Sequence, residues 1–155
     1  MAITVDETFQ VEAPLEAVWS YFSDPPQVVP CLPGASLAEV VDDRTYKGNV
    51  IVKVGPIKAE YAGTVQVESM EAETYSGRFS ARGDQKGAVG KAEASVSFKL
   101  LPIDEARTEV VIVAEISVSG RIMQLGGGMI QTVSRGLFRS FSQCVKSAVE
   151  NASGE

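Results

Sequence analysis

Between Ala35 and Ser119 the chain alternates, residue by residue, between side chains that avoid water and side chains that seek it. Alternation with a period of two marks a strand with one dry face and one wet face. Several such strands in succession mean an antiparallel sheet. Tyr46, Val50 and Val52 oppose Lys47, Asn49 and Lys53. After a turn at Gly55-Pro56, Ala59, Tyr61, Gly63, Val65 and Val67 oppose Lys58, Glu60, Thr64, Gln66 and Glu68. Tyr75, Phe79 and Ala81 continue the dry face, followed by Ala88, Gly90, Ala92, Ala94, Val96 and Phe98. The last strand turns Val110, Ile112, Ala114, Ile116 and Val118 inward, and carries Val111 and Val113 on its other face. A sheet with one dry face needs a cover. One segment is long enough, Ile122 to Val149, which has helical periodicity and would span roughly 40 Å at 1.5 Å per residue.

The N-terminal part completes the plan. Ile3, Val5, Phe9 and Val11 alternate with polar residues and read as a strand. Glu7 breaks the pattern on the apolar face, either as a carboxylate of a pocket or at an edge where it reaches water. Pro14 opens a helix with Leu15, Val18, Trp19 and Phe22 on one face, and "DPP" ends it. A second helical turn closes at Pro33-Gly34. The expected order is strand, two short helices, six strands and a long helix, an α+β class. The 155 residues suit one domain, residues 1–150, with a short polar tail at 151–155.

The chain has no histidine, which removes Ser-His-Asp and Cys-His catalysis and most zinc sites. No catalytic residue, metal site or cofactor is expected. The formal charge of −6, without basic clusters in sequence, argues against nucleic acid as partner. No apolar run approaches a membrane span, and "MAITVDETFQ" lacks the pattern of a signal peptide. Cys31 and Cys144 are far apart and belong to no CxxC, so reduced, packed thiols in a cytoplasmic protein are expected.

Three glycines, Gly126 to Gly128, stand inside the long helical segment. On a wheel that treats Ile122 onward as one helix, Gly126 falls among Leu125, Met129, Ile130, Val133, Leu137 and Phe141 on the apolar face. The strand from Ala88 to Ala94 is equally poor in side chains. The two patches either pack backbone to backbone or leave a space that an apolar molecule fills. The residues that would line such a space are Tyr46, Val50, Val52, Tyr61, Phe79, Ala92, Val96 and Ile112 of the sheet, with Gly126, Met129, Ile130 and Val133 of the helix. On the opposite side of the wheel Arg121, Arg135, Arg139 and Lys146 form a basic ridge. It is either a solvated helix face or a contact for anionic lipid or an acidic protein surface.

These residues carry a resemblance. "APLEAVWSYFSDP" (13–25), "CLPGA" (31–35), "VKVGPIKAEYAGTV" (52–65), "GAVGKAEASVSFKL" (87–100) and "GRIMQLGGGMI" (120–130) resemble the CoxG family, the G-subunits of carbon monoxide dehydrogenase, within the START-like, or helix-grip, superfamily. The resemblance implies a curved antiparallel sheet gripping the C-terminal helix, with a cavity between them for lipophilic molecules. It also implies an accessory role beside a molybdenum-containing carbon monoxide dehydrogenase or related molybdenum hydroxylase, in membrane recruitment, quinone exchange or maturation. Such a protein would be cytoplasmic and peripheral at the cytoplasmic face of the inner membrane. The family brings no catalytic residues. Three functions compete: a binding module for a lipid or quinone, an assembly factor whose cavity is incidental, and a cyclase or aromatase of the kind this fold also hosts. The third would need a polar constellation among the inward residues, where only Tyr46, Tyr61, Tyr75 and Glu7 are on offer.

Overall fold

The computed structural model describes residues 2–54 and 56–153, with backbone alone for Val54, Arg121, Ala152 and Ser153. Gly55 of the expected Gly55-Pro56 turn and the last two residues lie outside it. Seven strands, β1 (Ala2–Val11), β2 (Ala35–Val40), β3 (Thr45–Val54), β4 (Ile57–Glu71), β5 (Ser76–Gln85), β6 (Lys91–Asp104) and β7 (Arg107–Val118), form one sheet. Its order is β1-β7-β6-β5-β4-β3-β2, and every pairing is antiparallel. Helices α1 (Leu15–Phe22) and α2 (Pro25–Val28) follow β1, and a 3₁₀ turn at Val29–Cys31 leads into β2. A second 3₁₀ turn, Arg121–Leu125, precedes the long helix α3 (Gly127–Ser153). The helix runs through Asn151–Ser153, where a polar tail was expected.

The register places the alternating residues as their parity requires. Val50 pairs with Tyr61, Tyr61 with Gln85, Val65 with Ala81, and Ala81 with Ala94. Register partners share a face, so these residues stand with Val96, Ile112 and Ile116 on the concave side. Lys58, three positions from Tyr61, is exposed on the other side. The strand expected from Ala88 begins at Lys91 instead; Ala88 and Val89 are exposed in the β5–β6 turn.

Pro14 starts α1 because its fixed φ and missing N–H suit a helix entrance, and its carbonyl accepts the Ala17 and Val18 amides. The α1 face inserts Val18, Tyr21 and Phe22 into the core. There Phe22 stacks on Phe98 at 5.0 Å between ring centroids, and Phe141 of α3 meets Phe22 edge-on at 6.4 Å. Thr108, fully buried, donates its hydroxyl to the Ala13 carbonyl at 2.8 Å, which ties β7 to the end of β1.

The cysteines correct the expectation of free thiols: Cys31 and Cys144 form a disulfide. It joins the first 3₁₀ turn to α3 inside the same core. Disulfides ordinarily persist in oxidising compartments, so the inference from reduced thiols to a cytoplasmic place falls with it. Among the described residues no helix is long and apolar enough to cross a membrane.

Candidate functional site

Helix α3 does not lie centrally over the sheet. It runs along β1, with Gln131 Nε2 reaching the Thr4 carbonyl at 3.4 Å near one end and the Glu150 carboxylate accepting the Glu12 amide at 2.9 Å near the other. Gln131 fixes one flank of the helix on the sheet edge. Cys144, bonded to Cys31, fixes the opposite flank toward the short helices. Val133 and Leu137 lie on that second flank by helical spacing and are only half-buried. We read the space between that flank and the concave middle of the sheet, which α3 does not cover, as a cleft.

The apolar interior divides into two clusters on either side of this cleft. The larger gathers α1, the disulfide, the Phe22–Phe98–Phe141 aromatics and the C-terminal half of α3. The smaller joins Val118, Ile122 and Ile130, with Ile3, Val52, Ala92, Ile116 and Leu125 against them. Between the two, the inward residues Val65, Ala81 and Ala94 stay half-buried although they face the helix side of the sheet. A helix packed directly on them would have removed that exposure. Beside them Gly48, Gly63 and Gly83 are aligned across β3, β4 and β5. A Cβ on Gly63 would collide with the Arg82 carbonyl, so the strands approach too closely there for any side chain. The floor of the cleft is therefore low, with glycine backbone hydrogen-bonded within the sheet beside the apolar side chains of Val65, Ala81 and Ala94.

The sequence-expected lining is brought together in part. Tyr61, Val52 and Ala92 stand on the concave face toward the smaller cluster, and Val50 stands there 38% exposed. Phe79 and Val96 face inward but pack against the larger cluster, and Ile112 is wholly inside it. Tyr46 is buried with its hydroxyl donated to the Asp43 carbonyl at 3.2 Å. Burial pushes its phenol above the ordinary value, helped by the nearby Asp24, Asp43 and Asp42 charges. Tyr75 does not line the cleft: it sits in the β4–β5 turn at φ 50°, donates to Glu16 and meets Trp19 edge-on.

Gly126 is not on a helix face. It precedes α3 with φ +82° and ψ 158°, a conformation essentially closed to residues with a Cβ. The 3₁₀ turn ends there and the helix restarts, with the Gly126 carbonyl accepting the Ile130 amide. A wheel begun at Ile122 joins two separate helical pieces, which rotates the expected face. The buried stripe of α3 runs through Ile130, Ser134, Phe141, Val145 and Val149. Met129 falls off it and is 49% exposed. Ser134 is tolerated in the stripe because its hydroxyl donates to the Ile130 carbonyl. Of the basic ridge, Arg135 and Arg139 are exposed and Lys146 is half-buried; the Arg121 side chain lies outside the described residues.

Sequence reasoning missed Gln85, which stands on the concave face beside Tyr61. The Tyr61 hydroxyl and Gln85 Oε1 are buried without a hydrogen-bond partner, and burial pushes the Tyr61 phenol above its ordinary value. Glu7 also faces inward, opposite Ile112, but on the edge strand β1, where it is half-exposed. Among the described residues no group of histidine, cysteine or carboxylate side chains could hold a metal. On the convex face a shallow groove of about 310 Å³ is lined by Ser69, Ser76, Arg78, Ser97, Lys99, Val111 and Val113. Arg78 there is already paired with Glu68 at 3.4 Å. We favour the concave cleft over this groove because it joins an apolar floor to unpaired polar atoms.

The family model of CoxG, the G-subunit of carbon monoxide dehydrogenase, matches residues 8–150. No curated protein matches the sequence. Several solved structures share the fold. A conserved protein from Geobacillus kaustophilus superposes with a TM-score of 0.86 at 20% identity, covering 97% of both chains. A START superfamily protein from Mycobacterium smegmatis gives 0.64 at 17%, covering 96% of this chain and 98% of that one. The Zhui aromatase/cyclase from Streptomyces sp. R1128 gives 0.69 at 13%, covering 97% and 94%. At these identities the likeness establishes the START-like, helix-grip architecture and nothing about chemistry.

Proposed function

The chain belongs to the CoxG family of carbon monoxide dehydrogenase G-subunits, and from that premise we propose that it is an accessory binding module whose cleft holds a lipophilic molecule. The observation that carries this reading is the half-buried row Val65, Ala81 and Ala94 between two separate apolar clusters. Apolar side chains left half-wet on the concave face are the surface that a lipophile removes from water, at about 25 cal/mol per Å². The family supports a partner: a molybdenum-containing carbon monoxide dehydrogenase or a related molybdenum hydroxylase. A quinone or lipid exchanged with such an enzyme is the ligand that fits that partnership.

Charge supports the place of exchange. The β3–β4 turn, the β5–β6 turn and the β7–α3 connection lie at one end of the sheet, where the smaller cluster is. Residues 53–58, 86–91 and 119–129 hold Lys53, Lys58, Lys91 and Arg121, with Lys86 paired to Glu60 at 3.9 Å, and no carboxylate of their own. The loops at the opposite end hold Asp42, Asp43, Glu71, Glu73, Asp104 and Glu105. Val89, 93% exposed, projects from the basic end. On a chain of charge −6 this end is the one suited to an anionic bilayer or an acidic partner face.

Native mass spectrometry after incubation with decylubiquinone tests the binding reading. One adduct per chain is expected, and an unchanged mass at saturating quinone contradicts it. A catalytic reading draws on the fold shared with the aromatase/cyclase. It requires turnover that Tyr61→Phe abolishes, whereas the binding reading requires recovery of the ligand unchanged.

A further inference from the structure

Buried polar atoms without partners are rare in native proteins, because each carries an uncompensated desolvation cost. Two of those in this chain are neighbours on the concave face. Tyr61 and Gln85 are register partners on β4 and β5, so both side chains leave the sheet on the cleft side. Tyr61 is 7% exposed and its hydroxyl has no partner; Gln85 Oε1 is likewise buried and unpaired. Tyr46 is satisfied by the Asp43 carbonyl and Tyr75 by Glu16, whereas the Tyr21 hydroxyl, also buried and unpaired, lies in the larger cluster away from the cleft. The glutamine is also held in place: a Cβ on Gly90 would come within 2.5 Å of Gln85 Oε1, so that side chain lies against the Gly90 backbone. The row continues to the partly exposed Val50 on one side and adjoins the bare Gly63–Gly83 floor on the other.

We infer that Tyr61 and Gln85 are a polar anchor for one oxygen function of the cleft's ligand, an otherwise apolar molecule carrying a ring carbonyl or a hydroxyl. This rests on the cleft being a lipophile site. The Tyr61 hydroxyl donates to a carbonyl oxygen, and its raised pKa keeps it a donor throughout the neutral range. Gln85 Oε1 can only accept, so it takes the hydrogen of a hydroxyl. One donor and one acceptor side by side suit a carbonyl compound and the corresponding alcohol or phenol alike. A carboxylate is a poorer match, because the inward positions of β3 to β7 hold no Lys or Arg in residues 46–52, 57–67 and 92–100 at the parity of Tyr61 and Ala92. A plain hydrocarbon leaves both atoms unpaired.

The experiment compares 2,3-dimethyl-1,4-naphthoquinone with 2,3-dimethylnaphthalene, which have the same ring outline with and without the oxygens. Binding is measured by calorimetry on the full chain, its Tyr61→Phe variant and its Gln85→Leu variant. Wild type should bind the quinone about tenfold more tightly than the hydrocarbon, the value of one well-made buried hydrogen bond. Tyr61→Phe should lose most of that advantage, bind the hydrocarbon as wild type does, and melt at the same temperature or higher, since it removes an unpaired polar atom. Gln85→Leu should leave the quinone largely unaffected and weaken 2,3-dimethylnaphthalene-1,4-diol, kept reduced with dithionite. Equal affinity of wild type for quinone and hydrocarbon, or an undiminished quinone preference in Tyr61→Phe, overturns the anchor and leaves the cleft reading standing. Failure of wild type to bind either probe overturns both.

Discussion

The two ends of the grip share one sheet and one helix but are filled in opposite ways. At the end holding α1, Phe22, Phe98 and Phe141 stack together, Val18 and Val145 are fully buried, and a disulfide crosses from the first 3₁₀ turn to α3. Toward the other end the inward positions include Gly63, Gly83, Ala81, Ala92 and Ala94 among larger residues, and α3 begins only after an interrupted, glycine-rich approach. The contrast teaches how a small domain can keep a wet apolar cleft. The aromatics and the disulfide hold α3 at the filled end, and Ile130 with the Gln131–Thr4 contact holds its start, so the row between them need not be covered. Stability and binding are then separable by position, and substitutions at the two ends should behave differently.

The largest effect is expected from the disulfide. It closes a separation of 113 residues, for which loop-closure entropy alone gives roughly 4–5 kcal/mol. Replacing Cys31 and Cys144 together by Ala should lower stability in urea by about 4 kcal/mol. A double variant within about 1 kcal/mol of wild type would show that the filled end does not depend on its cross-link.

Next comes truncation. Leu100, 2% exposed in the larger cluster, should cost about 2–5 kcal/mol as Leu100→Ala. Val133→Ala, on the half-buried flank facing the cleft, should cost about 1 kcal/mol or less. Similar costs at both sites, measured by denaturant unfolding, would erase the contrast between the ends.

Alkaline pH sharpens the comparison by acting on the filled end. Burial pushes the Tyr21 phenol from 10.0 up to about 12. The folded protein keeps this proton at pH values where the unfolded chain has released it. The stability it contributes is therefore complete below about pH 10 and lost as pH rises toward 12. Unfolding midpoints should fall across that window, and Tyr21→Phe should flatten the fall. A parallel decline in the variant would assign the alkaline sensitivity elsewhere.

The smallest effect concerns helix α3 itself. Gly136 lies within it, and a Cβ there would meet nothing within 4 Å. Gly136→Ala should raise stability by about 0.5–1 kcal/mol without changing ligand binding. Gly126→Ala should instead lose stability, by about 1–3 kcal/mol, because its φ is +82°. If both changes acted alike, the break before α3 would not be a fixed element of the fold.

Much of this architecture was legible in the chain. Clean alternation in β3 and β4 decided which face of the sheet each residue takes, because a period of two leaves no freedom once one residue is placed. The break at Gly126 was not legible: Leu125, Met129 and Ile130 keep helical spacing across it, and spacing carries no record of a positive φ. That is why Met129 and Gly126 were expected in the lining and are not there. Gln85 escaped notice because Gly83-Asp84-Gln85 has no apolar residue to carry the alternation past Ala81. The disulfide had no local signal, since neither cysteine sits in a spaced motif and 113 residues separate them.

The central claim is that the bare half of the concave face, and not the filled half or the convex groove, receives an apolar ligand. Methyl-resolved ¹H–¹³C spectra, recorded while 2,3-dimethyl-1,4-naphthoquinone is titrated into the full chain, test it most directly. Saturable shifts are expected at Val65, Ala81, Ala94 and Val133, with Val11, Val18, Val110 and Val145 unmoved. Shifts confined to Val111 and Val113, or no saturable shift at any methyl, would contradict it.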